Sequence, residues 1–359
     1  MAVFIHDDYV FPPKAEGPVV KPGEFVFSAM HLDHNHLIGM TWGLILAGGT
    51  LKSFYDPDPE HVKTFLNSFP HAKVVDSEEE ILNDPEVKLV AAAAVTCERA
   101  DLGIRVMRAG KDYYTAKAPL TTLEQLHRVR KCHEETGMKY FCHYSERLDT
   151  ESCIFAGQLI REGRIGKVIH IEGTGPHRLN PSIRPDWFWS KEKSGGLLCD
   201  IGSHQADAFL FFSGETDADV VLSRTGNYAN PDHPDFEDFG DCMITGKNGA
   251  TFYFRVDWFT PDGVRNFGDG RTFIVGTKGS IELRKQLDPA VPEKKRDVVI
   301  VLDDEGEHRY DVSGKIGSPY FGQLILDCIN RTENAQTMES CFKAAELCVK
   351  AAWQARRIQ

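Results

Sequence analysis

The sequence lacks the features that would place it in a membrane or outside the cell. No apolar run comes near the roughly 18 uninterrupted residues that a membrane helix needs. The N-terminal segment has acidic residues and two prolines where a secretory signal has a basic stretch and then an apolar run. Nine cysteines without a C-x-x-C pair favour reduced thiols over a disulfide framework or a zinc ribbon. We therefore expect a cytoplasmic protein without membrane contact.

Positive charge is also scarce. Lys and Arg number 41 against 53 Asp and Glu, which gives a formal net charge of -12. Binding to a phosphate backbone needs a basic face that displaces counterions, so nucleic acid is a poor candidate partner. The length of 359 residues exceeds what one core normally supports, and about 150 residues per domain predicts two domains.

In the first half of the chain, short apolar runs alternate with segments of helical period. Predicted strands cover 24–29, 51–55, 89–95, 112–116 and 140–143. Helices are predicted between them over 35–47, 59–68 and 99–109, with further starts at the capping boxes Ser77/Glu80 and Thr121/Glu124. This alternation predicts a parallel, doubly wound sheet whose ligand lies at the carboxyl ends of the strands.

The second half has a different pattern. After a helix over 151–162, a strand over 167–173 and an apolar helix over 203–212, strand-like runs follow one another with short polar turns up to about residue 313. Two closing helices are predicted over 320–330 and 339–356. The pattern indicates an α+β domain with a large, mostly antiparallel sheet. The predicted organisation is a tail over 1–22, a Rossmann-like dinucleotide-binding domain over 23–145, and a domain for substrate and oligomerisation over 146–359.

The turn after the first predicted strand has no glycine. Ser28 to Asp33 reads S-A-M-H-L-D where a dinucleotide fold carries G-x-G-x-x-G. Those glycines let the backbone approach a pyrophosphate, and a carboxylate at the start of a helix competes with phosphate. His31 or His34 could replace some lost contacts, more strongly when protonated. Asp56, which ends the second strand, either accepts hydrogen bonds from the adenosine ribose or starts a turn, with Asp58 as the alternative helix cap.

Two further segments carry candidate catalytic side chains. Lys117 ends a predicted central strand beside the crevice, where a lysine stabilises an alkoxide; its alternative is a solvated surface side chain. Asp200 and His204 stand four apart at the entry of an apolar helix, so a helical turn points both the same way. The carboxylate would then orient and tune the imidazole. The alternative is a helix cap with a buried histidine.

These segments together resemble the Gfo/Idh/MocA family over about residues 24 to 357. Ala109 to Leu120 is similar to the family's A-G-K-x-V-x-x-E-K-P-L segment, and Gly195 to His204 to its G-G-x-x-x-D-x-G-x-H segment. The resemblance implies hydride transfer between NAD(P) and a hydroxyl or keto carbon of a sugar, glycoside or cyclitol. It implies catalytic roles for Lys117, Asp200 and His204. Ala116 and Ala118 depart from the motif's glutamate and proline, and the glycine loop is missing.

The resemblance also implies a pocket around the cofactor and the substrate. An acid at Asp56 would repel a 2′-phosphate and favour NAD over NADP. Aromatic faces near arginines, such as Arg184, are typical of carbohydrate pockets, although each aromatic could equally belong to the core. The predicted cofactor contacts are Ser28, Met30, His31, Asp56, Thr96 and Lys117. The predicted substrate contacts are Tyr144, Arg147, His177, Trp187 and Trp258.

Two other functions remain open from the sequence. His31, Asp33, His34 and His36 are dense in metal-ligand types and would suit a metal-dependent hydrolase or lyase, although neighbouring residues rarely all face one ion. A non-catalytic sugar-binding protein on the same scaffold is the other alternative. For the enzyme we expect no metal. We also expect a homo-oligomer, a dimer or tetramer, because the second half has too few helices to cover both faces of its sheet.

Overall fold

The computed structural model describes residues 11, 13–15, 17–291 and 296–359, so the predicted tail over 1–22 lies partly outside the described residues. Within these ranges the strands form two sheets, one of six strands and one of nine. The predicted fold class, a Rossmann-like parallel sheet followed by a mostly antiparallel sheet, is confirmed. No helix in these ranges is long and apolar enough to cross a bilayer.

The first sheet is entirely parallel. Its strand order is β3-β2-β1-β4-β5-β6, so the order reverses at β1, and a ligand crevice opens at such a reversal. Strands β4, β5 and β6 are buried along their whole length, as expected for a sheet covered on both faces. The strands are β1 (Val26–Met30), β2 (Thr50–Tyr55), β3 (Lys73–Val74), β4 (Leu89–Ala92), β5 (Asp112–Ala116) and β6 (Tyr140–His143).

Five helices connect these strands: α1 (His36–Leu46), α2 (Pro59–Ser68), α3 (Glu78–Leu82), α4 (Arg99–Arg108) and α5 (Leu123–Thr136). The predicted capping box at Thr121/Glu124 is wrong by one residue, because Thr122 and Gln125 make the two reciprocal bonds. The box predicted at Ser77 does not form. Its hydroxyl caps no amide, and Glu80 accepts from the amide of Asp76 instead.

The second sheet has the order β14-β13-β12-β11-β7-β10-β9-β8-β15. Its pairs are antiparallel except β7 with β10 and β8 with β15. The strands are β7 (Val168–Pro176), β8 (Ala218–Gly226), β9 (Phe239–Gly246), β10 (Thr251–Asp257), β11 (Gly270–Gly276), β12 (Gly279–Lys285), β13 (Val298–Asp303), β14 (Gly306–Asp311) and β15 (Arg356–Arg357).

Helices cover one face of this sheet. The helices of the second half are α6 (Ser145–Leu148), α7 (Glu151–Arg161), α8 (Lys191–Ser194), α9 (Leu197–Asp200), α10 (Gly202–Ser213), α11 (Tyr320–Asn330) and α12 (Met338–Trp353). Helix α7 packs on β12, α10 on β7 and α12 on β8. Helix α12 also contacts α5 and β6, so it joins the two sheets.

The opposite face of the second sheet carries exposed apolar side chains. Cross-strand pairing puts Phe273 beside Glu172, Glu172 beside Tyr253, Tyr253 beside Met243, and Met243 beside Leu222. The four apolar members of this row are between 36% and 43% exposed. Within the described chain, nothing covers this face.

Candidate active site

The three predicted catalytic residues lie between the two sheets. Lys117 follows directly after β5, Asp200 ends α9, and His204 lies in the first turn of α10. The ammonium of Lys117 donates to Oδ1 of Asp200 in an ion pair whose lysine side chain is only 6% exposed. The structure therefore brings the carboxyl end of the parallel sheet against the entry of α10, and the solvated-lysine alternative is wrong.

Arg99 holds the turn that carries Lys117. This arginine opens α4 and is 1% exposed. Its Nε donates to the carbonyl of Ala94 at 2.7 Å, and its Nη1 donates to the carbonyls of Lys117 and Ala118 at 2.6 and 2.8 Å. Charge-assisted bonds to several carbonyls of one turn fix its backbone. The position of Lys117 is thus set by a helix outside its own motif.

The charges at this point set the protonation states. Burial alone would raise the pKa of Asp200, but the charge and hydrogen bond of Lys117 lower it to about 2. Burial lowers the pKa of His204 to about 3; the charge of Glu146 opposes this shift and that of Lys117 adds to it. Above about pH 3 the imidazole is therefore neutral and beside an ion pair.

The expected contact between Asp200 and His204 is not made. Asp200 gives its carboxylate to Lys117 instead. Nδ1 of His204 is buried without a hydrogen-bond partner within the described residues. The neighbouring carboxylate therefore does not orient the imidazole by a hydrogen bond, and its helical spacing from His204 does not by itself produce a contact.

A second charged pair lies behind His204. Glu146 in α6 receives a hydrogen bond of 2.6 Å from Lys285 at the end of β12. Burial raises the pKa of this carboxyl, whereas the charges of Lys285, His204 and His177 lower it further than burial raises it. Nε2 of His177 lies 3.5 Å from the other carboxylate oxygen. Glu146 thus supplies a fixed negative charge at the back of the crevice.

Two histidines of the first turn also face this centre. The rings of His34 and His36 are 4.0 Å apart. Burial and the charges of Lys117 and Arg99 lower the pKa of His34 to about 3. Burial and the neighbouring His34 hold the pKa of His36 well below its ordinary value. With the groups of this chain alone, His34 is therefore neutral near pH 7, and a hydrogen bond from His34 to a phosphate stays a prediction.

The backbone of the glycine-free turn is tied by side chains. His31 adopts a left-handed conformation with φ of 55°, and its ring lies 2.8 Å from a carboxylate oxygen of Glu78, which Arg105 also binds. The amide of His31 donates to the carbonyl of Tyr55 at 3.0 Å. A histidine here takes the conformation that glycine adopts most easily, and the bond to Glu78 holds its side chain.

Asp56 closes the same turn from β2. Its carboxylate accepts from the amide of Leu32 at 2.6 Å and from that of Asp58 at 2.9 Å, and it contacts His61 at 3.1 Å. Its side chain is 1% exposed. Asp58, not Asp56, caps α2 through the amide of Glu60. A ribose hydroxyl would therefore meet a carboxylate whose oxygens already accept bonds from this chain.

Three amides at the start of α1 remain available. The amides of Asp33, His34 and Asn35 donate to no group in the described chain. Consecutive free amides at a helix N-terminus are suited to phosphate oxygens. Burial and the charge of Asp56 raise the pKa of the Asp33 carboxyl at the start of this helix. A diphosphate would therefore be bound by the amides of residues 33–35. The amides of His31 and Leu32 are already engaged within the chain.

The remaining predicted cofactor contacts divide into two groups. Ser28 and Met30 are completely buried in β1, and Ser28 bonds to Ser53 on the neighbouring strand at 2.8 Å. Neither side chain offers surface to a ligand. Thr96, 4% exposed, begins a short helical turn after β4 and lies at the carboxyl edge of the sheet with Lys117.

The predicted substrate contacts are also not all in one place. Trp258 packs edge-on against His177, with ring centres 5.7 Å apart, and the ring of Tyr144 lies 6.5 Å from that of His204. Trp187 contacts Phe188 at the margin of this group. Arg147 is different: its guanidinium makes a two-bond pair with buried Asp207 and does not face the crevice.

The metal-binding alternative for the first turn is contradicted by its geometry. His31 turns to Glu78, whereas His34 and His36 point toward Lys117. In the part of the chain that the structure describes, three metal-ligand atoms converge only at Asp303, Glu305 and His308, far along the sequence. Arg164 already binds the two carboxylates there.

Sequence reasoning missed several charged residues of this site. Arg99, Glu146 and Lys285 belong to no motif that we considered. Glu146 had a weak signal, because it lies between Tyr144 and Arg147 just after the last parallel strand. Lys285 had none, since 139 residues separate it from its partner.

Comparison with known proteins agrees with this architecture. Residues 27–144 match the model of an oxidoreductase family with an NAD-binding Rossmann fold, and residues 155–282 match the Gfo/Idh/MocA C-terminal domain. A solved structure assigned as an oxidoreductase from Erwinia carotovora atroseptica SCRI1043 is 45% identical, with a TM-score of 0.90 over 94% of this chain and 100% of that one.

More distant relatives are named enzymes. The chain is 27% identical over 185 residues to scyllo-inositol 2-dehydrogenase (NADP+) of Bacillus subtilis, covering 52% of this chain and 50% of that protein. It is 25% identical over 292 residues to 1,5-anhydro-D-fructose reductase of Ensifer adhaerens, covering 80% and 79%. The chain thus spans about half the length of the inositol dehydrogenases that it matches. Family models match both halves of this chain, and a solved structure that is 45% identical covers 94% of it. This chain therefore belongs to the Gfo/Idh/MocA family of oxidoreductases.

Proposed function

We propose that the chain transfers hydride between a nicotinamide dinucleotide and a secondary hydroxyl or keto carbon of a sugar, glycoside or cyclitol. The observation that carries this proposal is the buried ion pair of Lys117 and Asp200 beside neutral His204, at the carboxyl end of β5. A cation and a proton acceptor at one point are what the oxidation of a hydroxyl requires. The relatives named as sugar and inositol dehydrogenases support the substrate class.

The dinucleotide would be held by the crevice that runs along the parallel sheet. The free amides of residues 33–35 would bind its phosphates, and Thr96 and Lys117 lie along the same edge. When bound, the nicotinamide ring supplies the hydride acceptor or donor. The chain itself supplies binding, orientation and proton transfer.

The proton chemistry follows from the charges of the chain. In the oxidative direction His204 takes the hydroxyl proton: its imidazole is neutral in the fold, and the charge of Glu146 raises the proton affinity that burial lowers. Glu146 then stabilises the imidazolium that forms. Lys117, kept in place by Asp200 and by the bonds of Arg99 to its turn, stabilises the developing alkoxide.

We propose NAD as the preferred cofactor. Asp56 directly follows β2, and the charge of its carboxylate lies at this end of the crevice with both oxygens engaged by amides. A 2′-phosphate beside that charge would be repelled. NADP is used by one of the relatives, so the preference rests on Asp56 alone.

A non-catalytic sugar-binding function is the second candidate. Its support is the glycine-free turn, where the amides of His31 and Leu32 are already bonded within the chain. Mass spectrometry of the purified protein after gentle denaturation separates the two functions. Release of NAD(H), with absorbance changes on addition of a sugar panel, is expected for the enzyme. Absence of nucleotide from the protein and no nucleotide binding in calorimetry would favour the binding protein.

We propose a homo-oligomer formed through the open face of the second sheet. The apolar row that includes Phe273, Tyr253 and Met243 would otherwise meet solvent. Two such faces from identical chains bury each other with two-fold symmetry. Light scattering at micromolar concentration should give a dimer or tetramer, and Phe273→Glu should shift it toward monomer. A monodisperse wild-type monomer would contradict this assembly.

We also propose a cytoplasmic location. All nine cysteines are free thiols, and eight of them are buried. Free thiols are typical of reducing compartments. Fractionation of cells that produce the chain tests the location.

A further inference from the structure

Arg184 is a cation held in place without a counter-ion. Its Nε donates to the carbonyl of Leu179 at 2.7 Å, and its Nη2 donates to that of Arg178 at 3.3 Å. The guanidinium also lies over two rings, 4.5 Å from the centre of Phe188 and 4.8 Å from that of Trp258. These contacts fix its direction and leave Nη1 without a hydrogen bond in the described chain.

Two of the cations around the crevice are paired. Lys117 is neutralised by Asp200, and Lys285 by Glu146. Arg99 is buried and donates to main-chain carbonyls. Arg184 makes no ion pair within the described residues, although the charge of Asp200 acts on it, and its Nη1 stays free to donate.

This charge lies on the wall of the candidate active site. Phe188 and Trp258, over which the guanidinium stacks, line a narrow gap together with Asp200. The charges of Arg184 and Asp200 also act on each other. Trp258 also contacts His177, which contacts Glu146 behind His204. Arg184 is thus close to Asp200, on the side of the crevice where Trp258 and His177 lie.

We propose, building on the function above, that the substrate is an acidic sugar or cyclitol whose carboxylate is bound by Arg184. A planar guanidinium with a free edge pairs with a carboxylate through two parallel hydrogen bonds. The aromatic rings on its faces exclude water and strengthen that pair. Burial lowers the pKa of Arg184 more than the charge of Asp200 raises it, so the guanidinium is partly desolvated.

The direct test is binding of acids against neutral sugars of the same shape. D-glucuronate, D-galacturonate and D-gluconate are compared by calorimetry with D-glucose, D-galactose and D-glucitol, with and without NADH. At least one acid should bind about 10- to 100-fold more tightly than its neutral counterpart, the range given by one charge-assisted, two-bond contact. The methyl ester of D-glucuronate should lose the advantage.

Variants assign the effect to this residue. Arg184→Gln should abolish the preference for acids, and Arg184→Lys should retain part of it because the charge stays while the planar fork is lost. Arg128→Gln removes one positive charge from an exposed helix pair and should change nothing. Circular dichroism of each variant confirms that the chain is folded.

The possible results separate this inference from the proposed function. Acid-selective binding that depends on Arg184 without any hydride transfer would support the site and overturn the oxidoreductase proposal. Hydride transfer with equal use of acids and neutral sugars would support the oxidoreductase and overturn the acidic substrate. A preference for acids that survives in Arg184→Gln, or no preference in any pair, would also overturn it.

Discussion

The two ends of the crevice are built in opposite ways. At the end of β5, Arg99 holds the backbone of the turn and leaves the side chain of Lys117 facing the crevice. At the end of β1, acidic side chains hold the backbone: Asp56 takes the amide of Leu32, and Glu78 fixes His31. The first arrangement directs a charged side chain into the crevice, and the second engages backbone donors. The two ends can therefore be tested separately, because no hydrogen bond of Arg99 within the described chain reaches the turn after β1.

The largest expected effect tests the Lys117 end. Lys117→Ala should lower turnover by at least about 100-fold, because it removes the charge that stabilises the alkoxide. The variant also leaves Asp200 unpaired, so its unfolding midpoint is measured beside its kinetics. Lys131→Ala, at a side chain that is 75% exposed, is the control and should be normal. Near-normal turnover of a folded Lys117→Ala enzyme would remove the lysine from the mechanism.

His204 should show a similar loss with a distinct pH profile. His204→Asn should reduce turnover by about 100-fold. Because burial holds the pKa of the imidazole at about 3, wild-type activity should show no step from this histidine between about pH 5 and 8. A step near the ordinary pKa of 6.5 that disappears in the variant would contradict the buried, neutral state.

The turn end is tested by a smaller change in affinity. Asp56→Asn removes one negative charge and frees one of the two amides, those of Leu32 and Asp58, that the carboxylate now binds. Dinucleotide affinity should therefore rise by about 10-fold. NADPH should gain more than NADH, since its 2′-phosphate faced the lost charge. Asp58→Asn is the matched control, because asparagine caps a helix as well as aspartate. Calorimetry that shows equal or weaker binding by Asp56→Asn would refute the view that the turn is closed by this acid.

The smallest effect concerns stability in mild acid. The pKa of His204 is about 3 in the fold against an ordinary 6.5, so between these values the unfolded chain binds a proton that the fold does not. The free energy of unfolding should therefore rise with pH across this window, by up to about 1.4 kcal/mol per pH unit for one such group. Above the window it should stay level. The free energy of unfolding, measured with urea at about pH 5 and about pH 6, should rise less with pH in His204→Asn than in wild type. An equal rise in the two proteins would mean that the imidazole titrates normally.

Most of the fold was accessible from the sequence. Alternating runs predicted the parallel sheet because a buried strand such as β4 is continuously apolar. The boundaries were less certain, since β4 ends at Ala92 and the predicted run continues to Val95. The second capping box was misplaced by one residue because Thr121 and Thr122 are both suitable caps, and Gln125, which also donates to the carbonyl of Cys97, bonds to Thr122.

The site was accessible only where motifs are local. Lys117, Asp200 and His204 were each found from neighbours in sequence, and the structure brings them together. Glu146 with Lys285, and Arg147 with Asp207, depend on contacts across 139 and 60 residues. A local sequence pattern cannot predict pairing between residues so far apart in the chain. Arg147 was therefore assigned to the crevice, whereas it pairs with buried Asp207.

The clamp made by Arg99 has a consequence for the turn that it holds. Four main-chain carbonyls, those of Ala94 and of residues 116–118, are satisfied by one side chain that meets no substrate. Main-chain acceptors do not depend on side-chain identity, which accommodates alanines at 116 and 118 without moving Lys117. The course of this turn is thus set by main-chain bonds to a buried arginine, and the side chains of Ala116 and Ala118 take no part in those bonds.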